Sequence, residues 1–361
     1  MLHNPMAKIF IKSYGCQANL ADSEAMAGIL KTKCHNIINN ENEADLILVN
    51  TCSVKDKTQS KELHYIREKS KTKKVIVGGC LTKTIKIRRF IPEISAVFDT
   101  NSILKINEIV ENQKDTFSNK KELDRLNIPI IRRDNKISII PIAQGCLNNC
   151  TFCATKLSRG NLVSYRIGDI KRAVETSVND GCELIYLTSQ DNGCYGFDIK
   201  TNLPQLINEI STVEGNYKIR VGMANPWHVI KILEPLIEAY KKEKIMKFIH
   251  IPLQSGSEKV LGDMKRIHSA KDFRKIVKRF RNEFKEITIS TDIIVGYPTE
   301  TQQDFQETIK LIEEVKPEVI NISKYSARPN TKAIKLKQVP SDEIKRRSKI
   351  LTTVYNKYRK K

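Results

Sequence analysis

Short apolar runs alternate with helix-like stretches through the first third of the chain. The runs are rich in β-branched residues and predict strands at Ile9–Tyr14, Leu46–Asn50, Val75–Val77 and Ala96–Phe98. Helices are expected at Ser23–Lys31, at Lys57–Lys69, and from a cap at Asn101 or Ser102 to Val110. This alternation is typical of a parallel sheet covered by helices. Residues 1–112 are therefore expected to form a small Rossmann-like α/β domain.

A second alternation begins after residues 113–135, which are charged, lack a clear period and are interpreted as a linker. Six more strands are expected at Ile137–Ile142, Leu184–Leu187, Lys218–Val221, Phe248–Ile251, Thr288–Ile294 and Val319–Ser323. Helices fit Asp169–Val178, Leu203–Val213, Val229–Tyr240, Ala270–Phe284 and Thr301–Val315. Because a closed barrel of this type needs eight strands, residues 136–340 are expected to form a partial, open (βα)6 barrel. Its site should lie at the carboxyl ends of the strands.

The last residues, 341–361, are interpreted as a basic, helix-like tail. Its cationic residues are Lys345, Arg346, Arg347, Lys349, Lys357, Arg359, Lys360 and Lys361. The segment is too short for a third domain.

Charge favours a polyanionic partner. The chain has 62 Lys and Arg against 41 Asp and Glu, for a net charge of +21. Binding to nucleic acid releases condensed counterions, which makes such a surface a good match for RNA or DNA. The alternative is a merely well-solvated surface that follows from abundant lysine, and charge alone leaves both open.

Nine cysteines need an explanation other than disulfides. No apolar run approaches the roughly 18 residues needed to span a bilayer, and Met1–Ala7 lacks the apolar core of a secretory signal. We therefore expect a cytoplasmic protein with no membrane partner. Because thiols stay reduced in that compartment, metal or redox chemistry becomes the leading interpretation.

Cys146, Cys150 and Cys153 form a C-x3-C-x2-C pattern in the loop after the first expected barrel strand. Three thiolates within eight residues can hold a cubane cluster while leaving its fourth iron without a protein ligand. That iron could chelate S-adenosylmethionine (SAM), and an electron from the cluster would then cleave it. A structural zinc site is the alternative, but zinc closes with four ligands and no fourth Cys or His lies nearby in the sequence.

Cys16, Cys52 and Cys80 are far apart in sequence, but each lies just past an expected strand of the first domain. Carboxyl ends of parallel strands meet at one edge of a sheet, so the three thiols are expected to converge. A second cluster with one open iron would fit there. The alternative is three buried structural cysteines, since cysteine is among the most buried residue types.

Polar residues at other strand ends are candidates to hold SAM. They are Thr188, Ser189, Gln190, Arg220, Gln254 and Asp292. Arg220 could pair the SAM carboxylate through a forked hydrogen bond, and the others could bind its amine and ribose hydroxyls. Filling of the barrel interior explains them equally well. Cys194, in TSQDNGCYG, also lies at the expected barrel mouth, with packing as its main interpretation.

Several segments combine the cysteines with glycine and polar residues: GCQANLADSE at 15–24, NTCSVKDKT at 50–58, GGC at 78–80, QGCLNNCTFC at 144–153 and RGNLVSY at 159–165. They resemble segments of the methylthiotransferases, and within them of the archaeal and eukaryotic threonylcarbamoyladenosine tRNA methylthiotransferases. Later segments, including RVGMANP and FIHIPLQSGSEKVLGDMKR, resemble the same branch. The resemblance covers nearly the whole chain.

The resemblance implies a radical SAM enzyme with two [4Fe-4S] clusters, one on Cys146, Cys150 and Cys153 and an auxiliary one on the strand-end cysteines. It implies no catalytic residue beyond these six cluster cysteines. One SAM would methylate a sulfur held by the auxiliary cluster, and a second would give the radical that removes hydrogen from C2 of adenine. The implied partners are a tRNA carrying N6-threonylcarbamoyladenosine at position 37, an electron donor and a sulfur source, with no DNA.

One departure concerns RNA binding, because family members usually carry a small C-terminal β-barrel, the TRAM domain. We expect no TRAM barrel in this sequence. RNA would then be bound by the basic surface, by a partner protein or by residues outside this sequence. Two rival functions remain: a methylthiotransferase acting on a ribosomal protein, which the net charge and GM-x-NP segment disfavour, and a cluster protein without catalysis.

Overall fold

The chain is described here from a computed structural model. The structure describes residues 6–53, 56–119 and 125–359, without the side chains of residues 56–58. Part of the NTCSVKDKT segment, the middle of the expected linker, and Lys360 and Lys361 of the expected tail lie outside the described residues.

The first domain is a five-stranded parallel sheet with helices. Its strands are β1 (Lys8–Ser13), β2 (Asn36–Ile38), β3 (Leu46–Thr51), β4 (Lys74–Gly79) and β5 (Ala96–Val97), in the order β2-β1-β3-β4-β5. Its helices are α1 (Gln17–Thr32), α2 (Asp56–Ser70) and α3 (Ile106–Asn112). Every pairing is parallel, and β1, β3 and β4 are consecutive neighbours. The predicted Rossmann-like sheet is confirmed, with the short edge strand β2 added.

Apolar side chains fill both faces of this sheet. Leu48 and Ile76 face α1 and α3, whereas Val49 and Val77 face the other side, where α2 packs. All four are fully buried. Burial on both faces explains why these strands are continuous apolar runs rather than alternating ones.

The second domain contains six parallel strands in two groups of three. The first group is β6 (Ile137–Pro141), β9 (Leu184–Thr188) and β10 (Lys218–Val221), and the second is β11 (Phe248–His250), β12 (Thr288–Val295) and β13 (Val319–Lys324). A two-stranded antiparallel pair, β7 (Ala143–Gln144) and β8 (Val163–Ser164), follows β6. The β10–β11 contacts join the groups into one open barrel wall.

The helices of this domain are α4 (Thr155–Arg159), α5 (Ile167–Asn179), α6 (Leu203–Ser211), α7 (Pro226–Val229), α8 (Leu233–Tyr240), α9 (Glu258–Asp263), α10 (Ala270–Glu283), α11 (Gln302–Val315) and α12 (Ser341–Arg359). The longer ones, α5, α6, α8, α10, α11 and α12, cover the outside of this wall. One continuous apolar core lies between the helices and the strands. The predicted partial barrel is confirmed.

The segment expected to be a basic tail forms the packed helix α12. Its buried residues include Leu351 and Tyr355, which join the barrel core, and Arg347. Arg347 pairs with the buried Glu300 at 2.7 Å, so this cation is not available to solvent. Between β13 and residue 359 the structure describes no strand.

Candidate functional site

Three cysteines of the first domain meet at the carboxyl edge of its sheet. Cys16 is the N-cap residue of α1, just past β1, while Cys52 directly follows β3 and Cys80 directly follows β4. Because these three strands are adjacent, the sheet order brings the three thiols together, as the sequence predicts. We call them the strand-end cysteines.

Two glycines allow this close approach. Gly15 has φ +102°, and a Cβ there would lie 2.9 Å from Cys52 Sγ. Gly79 has φ +96°, and a Cβ there would lie 2.4 Å from the carbonyl oxygen of Thr51. Both positions combine a left-handed backbone with no room for a side chain, so only glycine suits them.

The Asn19 side chain connects all three cysteine loops. Its Nδ2 donates to the carbonyls of Tyr14 at 2.9 Å and Thr51 at 2.8 Å, just before Cys16 and Cys52. Its Oδ1 accepts from Cys80 Sγ at 3.6 Å. Asn19 is 1% exposed, so one buried amide fixes the relative positions of the loops.

Exposure differs within this group of thiols. Cys52 and Cys80 are buried, whereas Cys16 is exposed, which leaves the site open on the side of β1. Burial raises the pKa of the Cys80 thiol, with a nearby Arg159 acting against it. The Cys52 backbone N–H donates to the buried Glu62 carboxylate, whose pKa burial raises to about 8.

Cys146, Cys150 and Cys153 lie in the loop between β7 and α4, which we call the cysteine loop. Cys146 N–H donates to Gly160 O and Cys153 N–H donates to Cys150 O, so the chain curls back on itself. Asn148 donates to Cys146 Sγ at 3.4 Å through both its backbone and its amide nitrogen, and Arg266 donates to Cys150 Sγ at 3.6 Å. Three converging thiols with N–H donors around them suit a [4Fe-4S] cluster with one open iron.

A buried network supports the cysteine loop from behind. Asp191 Oδ1 accepts from the backbone of Gly193 and Asn225, and its Oδ2 accepts from Asn148 Nδ2 at 2.9 Å and contacts His228 Nδ1 at 2.8 Å. Both carboxylate oxygens of Asp191 are thus engaged by protein groups. These contacts account for the proximity of Asp191, His228 and Cys194 without a metal ion.

Cys194 lies beside Cys146, although the sequence favours packing as its role. Its thiol donates to the Asp191 carbonyl at 3.2 Å, and it is fully buried. The neighbouring Cys194 side chain also lowers the pKa of Cys146. The structure therefore places a fourth thiol next to the loop, at the barrel mouth where the sequence predicts it.

Three of the predicted SAM residues lie at the end of β9, beside the cysteine loop. Gln190 Oε1 accepts a hydrogen bond from the backbone of Gly145, directly before Cys146. Ser189 Oγ accepts from the Asp191 backbone at 3.1 Å, and the Thr188 carbonyl accepts from Ile142. Gln190 thus orients the cysteine loop, and Ser189 orients its support Asp191.

The other predicted SAM residues line the barrel wall. The Arg220 guanidinium lies 4.2 Å from the centre of the Phe248 ring and donates to the Tyr186 hydroxyl at 2.8 Å. Asp292 lies 3.1 Å from His250 Nε2. Burial works against its ionisation, but His250 keeps its pKa below the ordinary value.

Gln254 adds an unsatisfied acceptor to this wall. It has φ +74°, and its backbone N–H donates to the Asp292 carbonyl at 2.8 Å. Its buried Oε1 has no hydrogen-bond partner among the described residues. An orphaned acceptor of this kind suits the ammonium or a ribose hydroxyl of SAM.

The helix α4 joins the two cysteine groups, since it directly follows the cysteine loop and packs against the turn that begins at Cys80. Ser158 Oγ donates to the Cys80 carbonyl at 2.7 Å, and Thr100 Oγ1 donates to the Ser158 carbonyl at 2.9 Å. At its end, Arg159 donates to Asn19 Oδ1 at 2.8 Å. The sequence analysis did not predict α4, Asn19 or Asp191 as parts of the site.

Comparisons with known proteins agree with this geometry. Residues 140–312 match the model of the Radical SAM superfamily, and residues 8–99 match that of Uncharacterized protein family UPF0004. The solved structure of the radical SAM methyltransferase TsrM from Kitasatospora setae shares the fold, with a TM-score of 0.67 at 12% identity, covering 90% of this chain and 74% of that one. The fold and the cysteine loop define a radical SAM enzyme, which uses SAM and a [4Fe-4S] cluster.

Curated relatives narrow this class. A probable threonylcarbamoyladenosine tRNA methylthiotransferase of Pyrococcus horikoshii is 44% identical over 96% of this chain and 83% of its own length. The human threonylcarbamoyladenosine tRNA methylthiotransferase is 37% identical over 97% of this chain and 63% of its own length. The chain belongs to the threonylcarbamoyladenosine tRNA methylthiotransferases. Within the described residues, no helix is both long and apolar enough to cross a membrane.

Proposed function

We propose that this chain replaces the C2 hydrogen of N6-threonylcarbamoyladenosine at tRNA position 37 with a methylthio group, using two [4Fe-4S] clusters. Cys146, Cys150 and Cys153 would hold the cluster that cleaves SAM, and the strand-end cysteines would hold the auxiliary cluster. One observation supports joint action of the two groups: α4 directly follows the first triad, and its Ser158 Oγ donates to the carbonyl of Cys80 in the second at 2.7 Å.

The residues around each triad fit these roles. When bound, the clusters would supply the electron that cleaves SAM and the sulfur that is transferred. Asn148 and Arg266 would hold the cysteine loop open to SAM, and Gln254 Oε1 would accept from its amine or ribose. Arg220 would pair the SAM carboxylate, because its guanidinium is only partly engaged by Tyr186. Asp292 would bind a ribose hydroxyl.

A cavity beside the cysteine loop supports RNA as the substrate. Its volume is about 450 Å³, and its lining includes Trp227, Lys231, Lys265 and Arg266. Stacking on an aromatic ring together with cationic contacts to phosphate is the usual way to hold an unpaired base. The reaction also requires an electron donor and a sulfur source, which a reducing cytoplasm would provide.

The decisive experiment is an anaerobic assay of reconstituted protein with SAM, a reductant, sulfide and tRNA that carries threonylcarbamoyladenosine. The tRNA is then digested and its nucleosides are weighed. We expect a nucleoside in which methylthio replaces one hydrogen. Cleavage of SAM without that product would show a different substrate, such as a ribosomal protein, and absence of SAM cleavage would favour a cluster protein without catalysis.

A further inference from the structure

Arg159 is a buried cation that reaches from the second domain into the strand-end site. It is 4% exposed and ends α4, the helix that follows the cysteine loop. Its Nη2 lies 2.6 Å from Asp22 Oδ2 and donates to Asn19 Oδ1 at 2.8 Å. The same Asn19 oxygen accepts from Cys80 Sγ, so Arg159 and a strand-end thiol share one hydrogen-bond acceptor.

The charges of this network do not balance among the described residues. Asp22 Oδ1 also pairs with the buried Arg125 at 2.9 Å, so two guanidinium groups share one carboxylate. A buried excess of positive charge is costly unless another anion lies close by. The thiols of Cys80 and Cys16 are the nearby candidates. Burial opposes the charge of Arg159, yet Asp22 and then Cys80 raise its pKa.

We propose that Arg159 is a positioning residue for the auxiliary cluster, and that it supplies fixed positive charge which favours the reduced cluster. Three thiolates outweigh the charge of an oxidised cubane core, and each added electron increases that negative charge. A nearby buried cation therefore stabilises the reduced form more than the oxidised form. The segment 146–159 would thus bind one cluster and tune the other. This inference rests on the proposed second cluster.

The test uses the full chain with Cys146, Cys150 and Cys153 replaced by Ala, so that only the auxiliary site can be loaded. The protein is reconstituted with iron and sulfide, its iron and acid-labile sulfide are counted, and its cluster is titrated with a reductant under EPR. In this background Arg159→Met should lower the reduced-to-oxidised ratio about tenfold at a fixed potential, which is a shift of about 59 mV for one electron.

Arg125→Met is the matched control. It removes the same kind of cation from the same carboxylate, while the Arg159 contact with Asn19 remains. At the same fixed potential, we expect the reduced-to-oxidised ratio of this variant to stay within about twofold of the parent's ratio. Equal shifts in both variants, or none in either, would overturn the role of Arg159.

Two further variants keep the test decisive if Arg159→Met does not fold. Asp22→Asn removes the anion from the same network and should shift the ratio in the opposite direction. Arg159→Lys keeps the charge and should stay closer to the parent than Arg159→Met does. A shift of Asp22→Asn towards the oxidised cluster would contradict the charge argument. If the three-alanine background binds no iron and sulfide, the second cluster itself fails, and Arg159 with it.

Discussion

The two cysteine groups are built in opposite ways. The cysteine loop takes its three thiols from eight consecutive residues, whereas the strand-end cysteines are each separated by roughly thirty residues. Local backbone hydrogen bonds shape the loop, such as the one from Cys153 to Cys150. The strand-end group exists only because β1, β3 and β4 are neighbours. A local site can therefore be read from spacing, but a strand-end site depends on the whole sheet.

The largest expected effect comes from two separate variants, each of which lacks one thiol of one group. Cys150→Ala should abolish SAM cleavage and therefore product formation. Cys52→Ala should still cleave SAM under reduction but give no methylthiolated tRNA. Both variants should keep part of their iron, because the other triad stays intact. The measurements are 5′-deoxyadenosine release, nucleoside mass and iron content.

Cys34→Ala is the control for this pair, because Cys34 is exposed just after α1 and lies outside both groups. It should retain both activities. Loss of SAM cleavage in Cys52→Ala would mean that the two groups are not functionally separate.

The second prediction tests how strongly the strand-end group depends on the sheet. Gly79→Ala should lower the free energy of unfolding by about 3 kcal/mol, since it places a Cβ against the Thr51 carbonyl at positive φ. It should also reduce the iron bound by the strand-end cysteines. Urea unfolding of the cluster-free protein and iron analysis of the reconstituted protein would measure the two effects.

Gly262→Ala is the matched substitution in the barrel domain. Gly262 lies inside α9, and a Cβ there meets no heavy atom within 4 Å. Because alanine is the better helix former, this variant should be stabilised by up to about 1 kcal/mol. Equal destabilisation of both variants would show that the close approach at Gly79 is unimportant.

The sequence predicted the strands well because their burial on both faces leaves long apolar runs. It placed the start of α1 at Ser23, whereas the helix begins at Gln17. The first turns of α1, which the sequence did not predict, contain Asn19 and Asp22. Both are buried and polar because they serve the strand-end site. Buried polar residues break the apolar period, so helix prediction failed where the chain departs from ordinary packing.

The residues of the site also divide into those that the sequence predicted and those that it did not. Spacing and strand ends selected six candidate cysteines, and the structure has them in two groups of three, in one loop and at one sheet edge. Asn19, Arg159, Asp191 and His228 were missed, because nothing local marks a residue whose partner is more than thirty positions away. The GCQANLADSE and RGNLVSY segments that carry the family resemblance contain Asn19 and Arg159, and that was the one available signal.

The third prediction concerns the support of the cysteine loop. Asp191→Asn removes a buried charge that accepts from Asn148 and contacts His228. We expect a loss of about 2 kcal/mol in the free energy of unfolding, since bonds to a charged acceptor are among the stronger ones. Iron bound by the loop should fall, while iron bound by the strand-end cysteines stays constant in a Cys150→Ala background. A fall in that background would show that Asp191 supports both groups.

The smallest expected effect depends on pH. It tests whether acid lowers the stability of the barrel domain through one of its own residues. Burial lowers the pKa of His268 to about 3, and its Nε2 contacts the Leu253 carbonyl at 3.2 Å. Because the ordinary pKa is about 6.5, the unfolded chain binds this proton first as the pH falls. The contribution to stability is therefore fully present above pH 6.5 and is lost progressively between pH 6.5 and 3.

At pH 5.5 this loss should be about 1.4 kcal/mol, one unit below the unfolded pKa. In His268→Gln the difference in unfolding free energy between pH 7.5 and 5.5 should be smaller than in the parent by that amount. Urea unfolding of both cluster-free proteins at the two pH values measures it. The same slope in parent and variant would show that His268 titrates normally and that the acid sensitivity of the barrel side has another source.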